Sequence, residues 1–186
     1  MGRPKALLPC PPGGDTFVAR CVRALRTGGA AHVLVVGRPE DDALRAELAR
    51  VDPVPEFVAN PTADEGQLSS LVRGITAVED RGAPAVIVLP VDVPLVKPES
   101  VAALLAAYRS ERPPIARVTC GGRHGHPVLF DRAVFAELRT ADPSRGARAV
   151  MRADPARVLD VEVGDHGVLR DVDGPADYEA LFGRAP

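Results

Sequence analysis

Ala85-Val86-Ile87-Val88-Leu89-Pro90-Val91-Asp92-Val93-Pro94 starts as an unbroken apolar run and ends on one carboxylate set between two prolines. A short run of small and β-branched apolar residues reads as a strand covered on both faces, as in a parallel sheet with a helix layer on each side. Reading outward, residues 31–36 form a second run of this kind, closed by Gly37, and residues 56–59 form a shorter one leading into Asn60-Pro61. Between and around these runs, segments 16–26, 40–50, 67–80 and 98–108 carry apolar residues at helical spacing. Asp15 is placed to cap the first of these helices, Gly28-Gly29 to stop it, and Pro98 suits a first helical turn. Strands alternating with helices of this length are βαβ units. Strands at 115–119 and 127–130 flank a polar loop, 121–125, too short for a helical crossover, so an antiparallel addition is expected there. A short helix at 145–152, a strand at 158–163, a strand or extended segment at 168–172 and a closing helix at 175–182 complete the chain. The expectation is one α/β domain over residues 1–186 with a mixed, mostly parallel sheet, in which 85–89 is the most buried strand.

Composition narrows the function. Of 186 residues, 46% are apolar and 26% charged, an ordinary globular balance. The net charge of −2 argues against a general nucleic-acid binder, and the scarcity of aromatics argues against base-stacking platforms. No apolar stretch is long enough to span a membrane. Cys10, Cys21 and Cys120 show no paired metal spacing and leave one over from any disulfide, so reduced thiols in a cytoplasmic protein are expected.

In a sheet of this class, ligands bind beyond the carboxyl ends of the strands, here Gly37-Arg38, residues 60–70 and residues 90–94. Asp92 stands at such an end, where a carboxylate serves either as a turn residue or as a hard-oxygen ligand for Mg²⁺. Asp171 and Asp173, two apart on an extended segment, point to the same side. One of them is a second metal-ligand candidate, while Asp177 suits the start of the closing helix. At the N-terminus, Met1-Gly2-Arg3-Pro4-Lys5-Ala6-Leu7-Leu8-Pro9 resembles the end of a phosphate-binding turn: Gly2 permits close backbone approach, Pro4 fixes direction and Lys5 carries the charge. Gly66, Ser69 and Ser70 stand where a loop meets a helix, offering either plain capping or amide and hydroxyl contacts to a nucleotide. Gly122-Arg123-His124-Gly125-His126-Pro127 is a poor metal site, having two histidines two apart and no further Cys or His partner, and His126 is better suited to hydrogen-bond a substrate or a loop backbone. No nucleophile–base–orienter set is evident, which fits phosphoryl and nucleotidyl transfer, where positioning and charge neutralisation dominate.

Taken in order, 1–9, Asn60-Pro61 with Gly66 and Ser70-Leu71, Val91-Asp92-Val93-Pro94, 125–130, Arg145-Gly146-Ala147-Arg148 and 171–178 closely resemble the molybdenum cofactor cytidylyltransferase group of the MobA-like nucleotidyltransferases, over nearly the whole chain. The resemblance implies a three-layer α/β/α, Rossmann-like fold of the glycosyltransferase-A type. It implies attack of a substrate phosphate on the α-phosphorus of a nucleoside triphosphate, with CTP favoured over GTP and molybdopterin as acceptor. Lys5 would neutralise triphosphate oxygens, Asp92 and Asp173 would hold Mg²⁺, Gly2 and the Gly66–Ser69–Ser70 turn would seat the nucleotide, and Gly125, His126 and Pro127 would face the acceptor. A molybdoenzyme is the implied receiver of the product.

The family pattern places an apolar strand and Leu-Ala-Ala-Gly-x-Ser-x-Arg ahead of Met-Gly-x-Pro-Lys. The expectation is therefore that the central strand and part of the Gly-rich loop are missing here, with Met1 at the place of an internal methionine. Two further departures are Pro143-Ser144 for the family's Gly-Asp and Gly174 for its usual Thr. The rivals are a guanylyltransferase acting on the same pterin or on a small phosphorylated acid, and a catalytically silent accessory protein lacking a full phosphate loop.

Overall fold

The computed structural model describes residues 4–185. Two hydrogen-bonded sheets form the middle layer. β1 (Leu34–Gly37) and β2 (Glu56–Ala59) pair in parallel, Val35 opposite Phe57. β3 (Ala85–Val88), β4 (Ile115–Cys120), β5 (Arg123–Asp131) and β6 (Val158–Glu162) form the second sheet in the order β3-β5-β4-β6. β5 runs antiparallel to both its neighbours and β4 runs parallel to β6, so three of these four strands share one direction. The antiparallel pair arises where the short Gly121-Gly122 connection leaves no room for a crossover helix.

Strand alternation sends the core to both faces. Ile87, Ala116, Val118 and Leu129 meet Val101, Leu104 and Tyr108 of α4 (Pro98–Glu111) on one face. On the other, Val86, Val88, Ile115, Val128 and Phe130 meet Ile75 of α3 (Gln67–Glu79), Phe135 and Leu138 of α5 (Phe135–Thr140) and Val150 of α6 (Ala147–Ala153). The small sheet lies between the same layers. Val33, Val35 and Phe57 pack on α1 (Phe17–Thr27) and α2 (Asp42–Leu48), while Gly74 of α3 lies against Leu34 and Val36. The result is a three-layer α/β/α arrangement with α3 spanning both sheets.

Several boundaries differ from the sequence reading, each for a local reason. Thr16, not Asp15, caps α1, its hydroxyl accepting from the Ala19 amide, while Asp15 pairs with Arg23. The helix expected at 40–50 shortens to Asp42–Leu48 because Asp41 accepts from the Leu44 amide and fixes the start. Residues 168–172 are not a strand: a 3-10 turn covers His166–Leu169, and only the residues after it are extended. The 85–89 segment is not the most buried strand. All four residues of β3 are half-buried, as are those of β1, whereas β4 and β5 carry the fully buried positions. Among the described residues β3 pairs only with β5 and β1 only with β2, so each keeps one open edge that apolar sequence alone could not reveal.

One tertiary cap joins the end of the chain to its middle. The buried Asp165 carboxylate accepts from the Lys97 amide and the Ser100 hydroxyl at the start of α4, and from the Gly167 amide of its own turn.

Candidate active site

Three charged side chains meet beyond the end of β3. Lys5 Nζ lies 2.8 Å from Asp173 Oδ1 and 3.9 Å from Asp92 Oδ2. The three come from the N-terminal turn, the loop after β3 and the segment before α7 (Pro175–Phe182), separated by as many as 168 positions. What brings them together is a small apolar cluster: Leu8, Cys10, Phe17, Val172 and Tyr178, with Val91 and Leu95 against it. Asp92 follows Val91, Asp173 follows Val172, and Lys5 begins the 3-10 turn that leads into Leu8. Val172 donates its amide to the Asp92 carbonyl at 2.8 Å, locking the two acidic segments edge to edge. The Tyr178 hydroxyl donates to the Pro9 carbonyl at 2.8 Å and ties the Lys5 turn to α7. With Val172 buried, Asp171 and Asp173 both face solvent. Asp177 has the structural place expected of it, its Oδ2 accepting from the Asp173 and Gly174 amides at the start of α7.

The electrostatics follow from burial. The Asp92 carboxyl is held above the usual carboxylate range first by burial; Lys5, a backbone amide and His126 pull it down, and Asp173 pushes it up. His126, at the start of the stretch of β5 alongside β3, shares this field. Its imidazole is held below the ordinary histidine range first by burial; Asp92 and Asp171 oppose that shift and Arg148 adds to it. The His126 Nδ1 is buried with no hydrogen-bond partner among the described residues. Folded protein binds this proton less readily than unfolded chain. Stability is therefore complete above an ordinary histidine pKa of about 6.5 and declines as pH falls through it towards the folded value. Urea midpoints at about pH 7.5 and about pH 5.5 should differ for the wild type, and the difference should shrink in His126→Asn. Equal losses in both proteins would count against the buried imidazole as the cause.

Not every residue singled out from sequence joins this cluster. Gly2 lies outside the described residues. Gly66 has φ +100°, which favours glycine, and leaves the first turn of α3 without a side-chain cap. Ser69 is occupied within its own loop: its hydroxyl faces the Thr62 and Gly66 carbonyls and accepts from Asn60 Nδ2. Ser70 accepts from Asn60 Nδ2 at 3.0 Å but gives its proton to no acceptor among the described residues. Asn60, fully buried and also accepting from Thr62, is the hub of this loop; sequence reasoning gave it no role, and Asn-Pro ahead of a Ser-rich helix start was the available signal. No hydrogen bond or ion pair joins this loop to Lys5, Asp92 or Asp173 among the described residues. Gly125 is held by packing, since a Cβ there would stand 2.5 Å from the Val168 carbonyl oxygen. Pro127 continues β5 into the buried Val128.

Two carboxylates from separate segments, one half-buried and one exposed, could serve as a hard-oxygen donor pair. Such a pair would leave the other positions around Mg²⁺ or Mn²⁺ to water and phosphate oxygens. Among the described residues no group of three or more His, Cys, Asp or Glu forms a complete protein cage. No helix among the described residues is long and apolar enough to cross a membrane.

Comparison with known proteins gives consistent results. Residues 1–158 match the MobA-like NTP transferase domain. Purine catabolism protein PucB of Bacillus subtilis (strain 168) is 25% identical, over 97% of this chain and 89% of its own length. The probable molybdenum cofactor guanylyltransferase of Mycobacterium avium (strain 104) is 28% identical, over 97% and 88%. Rv0371c of Mycobacterium tuberculosis H37Rv, solved in complex with manganese, superposes with a TM-score of 0.80 at 25% identity, covering 98% of this chain and 94% of its own.

Proposed function

This chain belongs to the MobA-like NTP transferase family and is a nucleotidyltransferase, and on that premise we propose that it transfers a nucleoside monophosphate, with Mg²⁺, from a nucleoside triphosphate to the phosphate of molybdopterin. The single observation that carries this reading is the meeting of Lys5, Asp92 and Asp173 at one strand end. In the reaction an acceptor phosphate oxygen forms a bond to the α-phosphorus while the α–β phosphoanhydride bond breaks, and pyrophosphate leaves with the electron pair. Asp92 and Asp173 would hold the cation, which when bound supplies charge neutralisation to the triphosphate. Lys5 places an ammonium against the same oxygens as negative charge shifts to the leaving group. His126, kept neutral by burial, offers a hydrogen bond to the acceptor without adding charge. Gly125 and Pro127 set its position. The uncapped start of α3 after Gly66 would contact the nucleotide through its first amides, that of Ser69 among them, and Ser70 through its hydroxyl proton, with Gly2 completing that side.

For the base, the resemblance to the cytidylyltransferase group favours CTP. A specific observation favours GTP as the second reading: the mycobacterial relative is named as a guanylyltransferase. Pyrophosphate release measured with each of the four triphosphates, molybdopterin and Mg²⁺ tests both. The reading expects release with CTP, or with GTP if the second reading holds, and only with the pterin present. Release with neither pyrimidine nor purine triphosphate would contradict it.

A further inference from the structure

The Lys5 ammonium stands between two carboxylates, 2.8 Å from Asp173 Oδ1 and 3.9 Å from Asp92 Oδ2. A divalent ion held by both carboxylates would have to take that same ground. We infer that Lys5 is the resident counter-ion of the cation position, so that a divalent metal binds there tightly only together with a triphosphate to which Lys5 can move. The inference rests on the nucleotidyltransferase reading and deepens it, because it fixes how metal and nucleotide binding depend on each other.

Three features of the site support it. An ammonium and a divalent cation cannot share two carboxylates without strong repulsion at this range, so one must yield. Lys5 is able to yield: its side chain is 35% exposed, and its stem is a flexible four-carbon chain springing from an anchored turn. The Leu8 carbonyl accepting from the Phe17 amide holds that anchor in place. The bond it would give up is also weak, because Asp173 is 72% exposed and an ion pair in water contributes little.

Without nucleotide, however, Lys5 has no other acceptor among the described residues, so an entering metal must displace it into solvent. A triphosphate changes this balance by offering several anionic oxygens beside the same cation. Lys5 then exchanges two carboxylates for phosphate oxygens, and the carboxylates are released to the metal. Linkage makes the effect reciprocal: metal tightens nucleotide binding by the same factor that nucleotide tightens metal binding.

Titration of the full chain with Mn²⁺, read by the loss of the free-ion electron paramagnetic resonance signal, tests the inference without turnover. It is run with and without the unreactive α,β-methylene analogues of CTP and GTP. Lys5→Met should bind Mn²⁺ alone roughly tenfold more tightly than wild type, and the tightening produced by the analogue should shrink. Lys5→Gln should shift the same way and guards against a packing effect of one substitution. Unchanged or weaker Mn²⁺ binding in both Lys5 variants, with Asp92→Asn still abolishing binding of Mn²⁺ and analogue, would overturn the counter-ion role and leave the catalytic reading standing. Wild-type binding in both Asp92→Asn and Asp173→Asn would overturn the two together.

Discussion

Asp92→Asn is expected to lower metal-dependent turnover about a thousandfold, the equivalent of about 4 kcal/mol of transition-state stabilisation, without lowering the melting temperature. The two halves of this expectation come from the same burial. Asp92 is mostly covered, with 22% of its side chain exposed, and its carboxyl is pushed above the usual range because the charged form is poorly solvated there. The amide has the same shape and no such cost, and the backbone carbonyl that accepts from Val172 is untouched. What the amide lacks is the negative charge a hard cation requires. Steady-state pyrophosphate release and a thermal melt on the same preparation check both halves. A melting temperature lowered by several degrees would show that Asp92 is a structural residue first.

Tyr178→Ala is expected to cost about 3–5 kcal/mol of folding stability, a large share of the total for a domain of this size. Tyr178 is fully buried, with its ring centroid 4.7 Å from that of Phe182 and 6.1 Å from that of Phe17. Truncation leaves a cavity among aromatic neighbours and frees the Pro9 carbonyl, which carries the Lys5 turn. Turnover should fall with stability, because the cluster beneath the site is what sets Lys5 beside Asp173. Tyr178→Phe separates packing from hydrogen bonding: it keeps the ring, loses the bond to Pro9 and should cost about 1 kcal/mol. Urea denaturation of the three proteins gives the comparison. Equal midpoints for Tyr178→Ala and wild type would remove the cluster from the explanation.

The layered fold was legible because helical and strand periodicities alternate along the chain, and the short 121–125 loop foretold the antiparallel pair. Strand burial was not legible. β3 and β4 are both apolar, yet β3 sits at an open edge and β4 between two partners, a difference set by pairing across the chain. The meeting of Lys5, Asp92 and Asp173 was expected through the family resemblance alone; the apolar cluster that holds it, Leu8 and Val172 with Val91 against them, joins segments too far apart in sequence to leave a local signal. The loop at 60–70 was half legible. Gly66 marked a helix start, but the occupation of Ser69 by its own loop depends on the buried Asn60, whose partners lie nine and ten residues away. Asp165 gave no signal, since a carboxylate capping a helix 65 residues upstream follows no local pattern.

Catalysis as proposed requires one cation between two aspartates that are distant in sequence. Crystals grown with Mn²⁺ and an unreactive triphosphate, measured at the manganese absorption edge, would locate it directly. The expected result is an anomalous peak within about 2.2 Å of oxygens of both Asp92 and Asp173, with Lys5 turned towards phosphate. A peak bound elsewhere, with Lys5 still paired to Asp173, would contradict it.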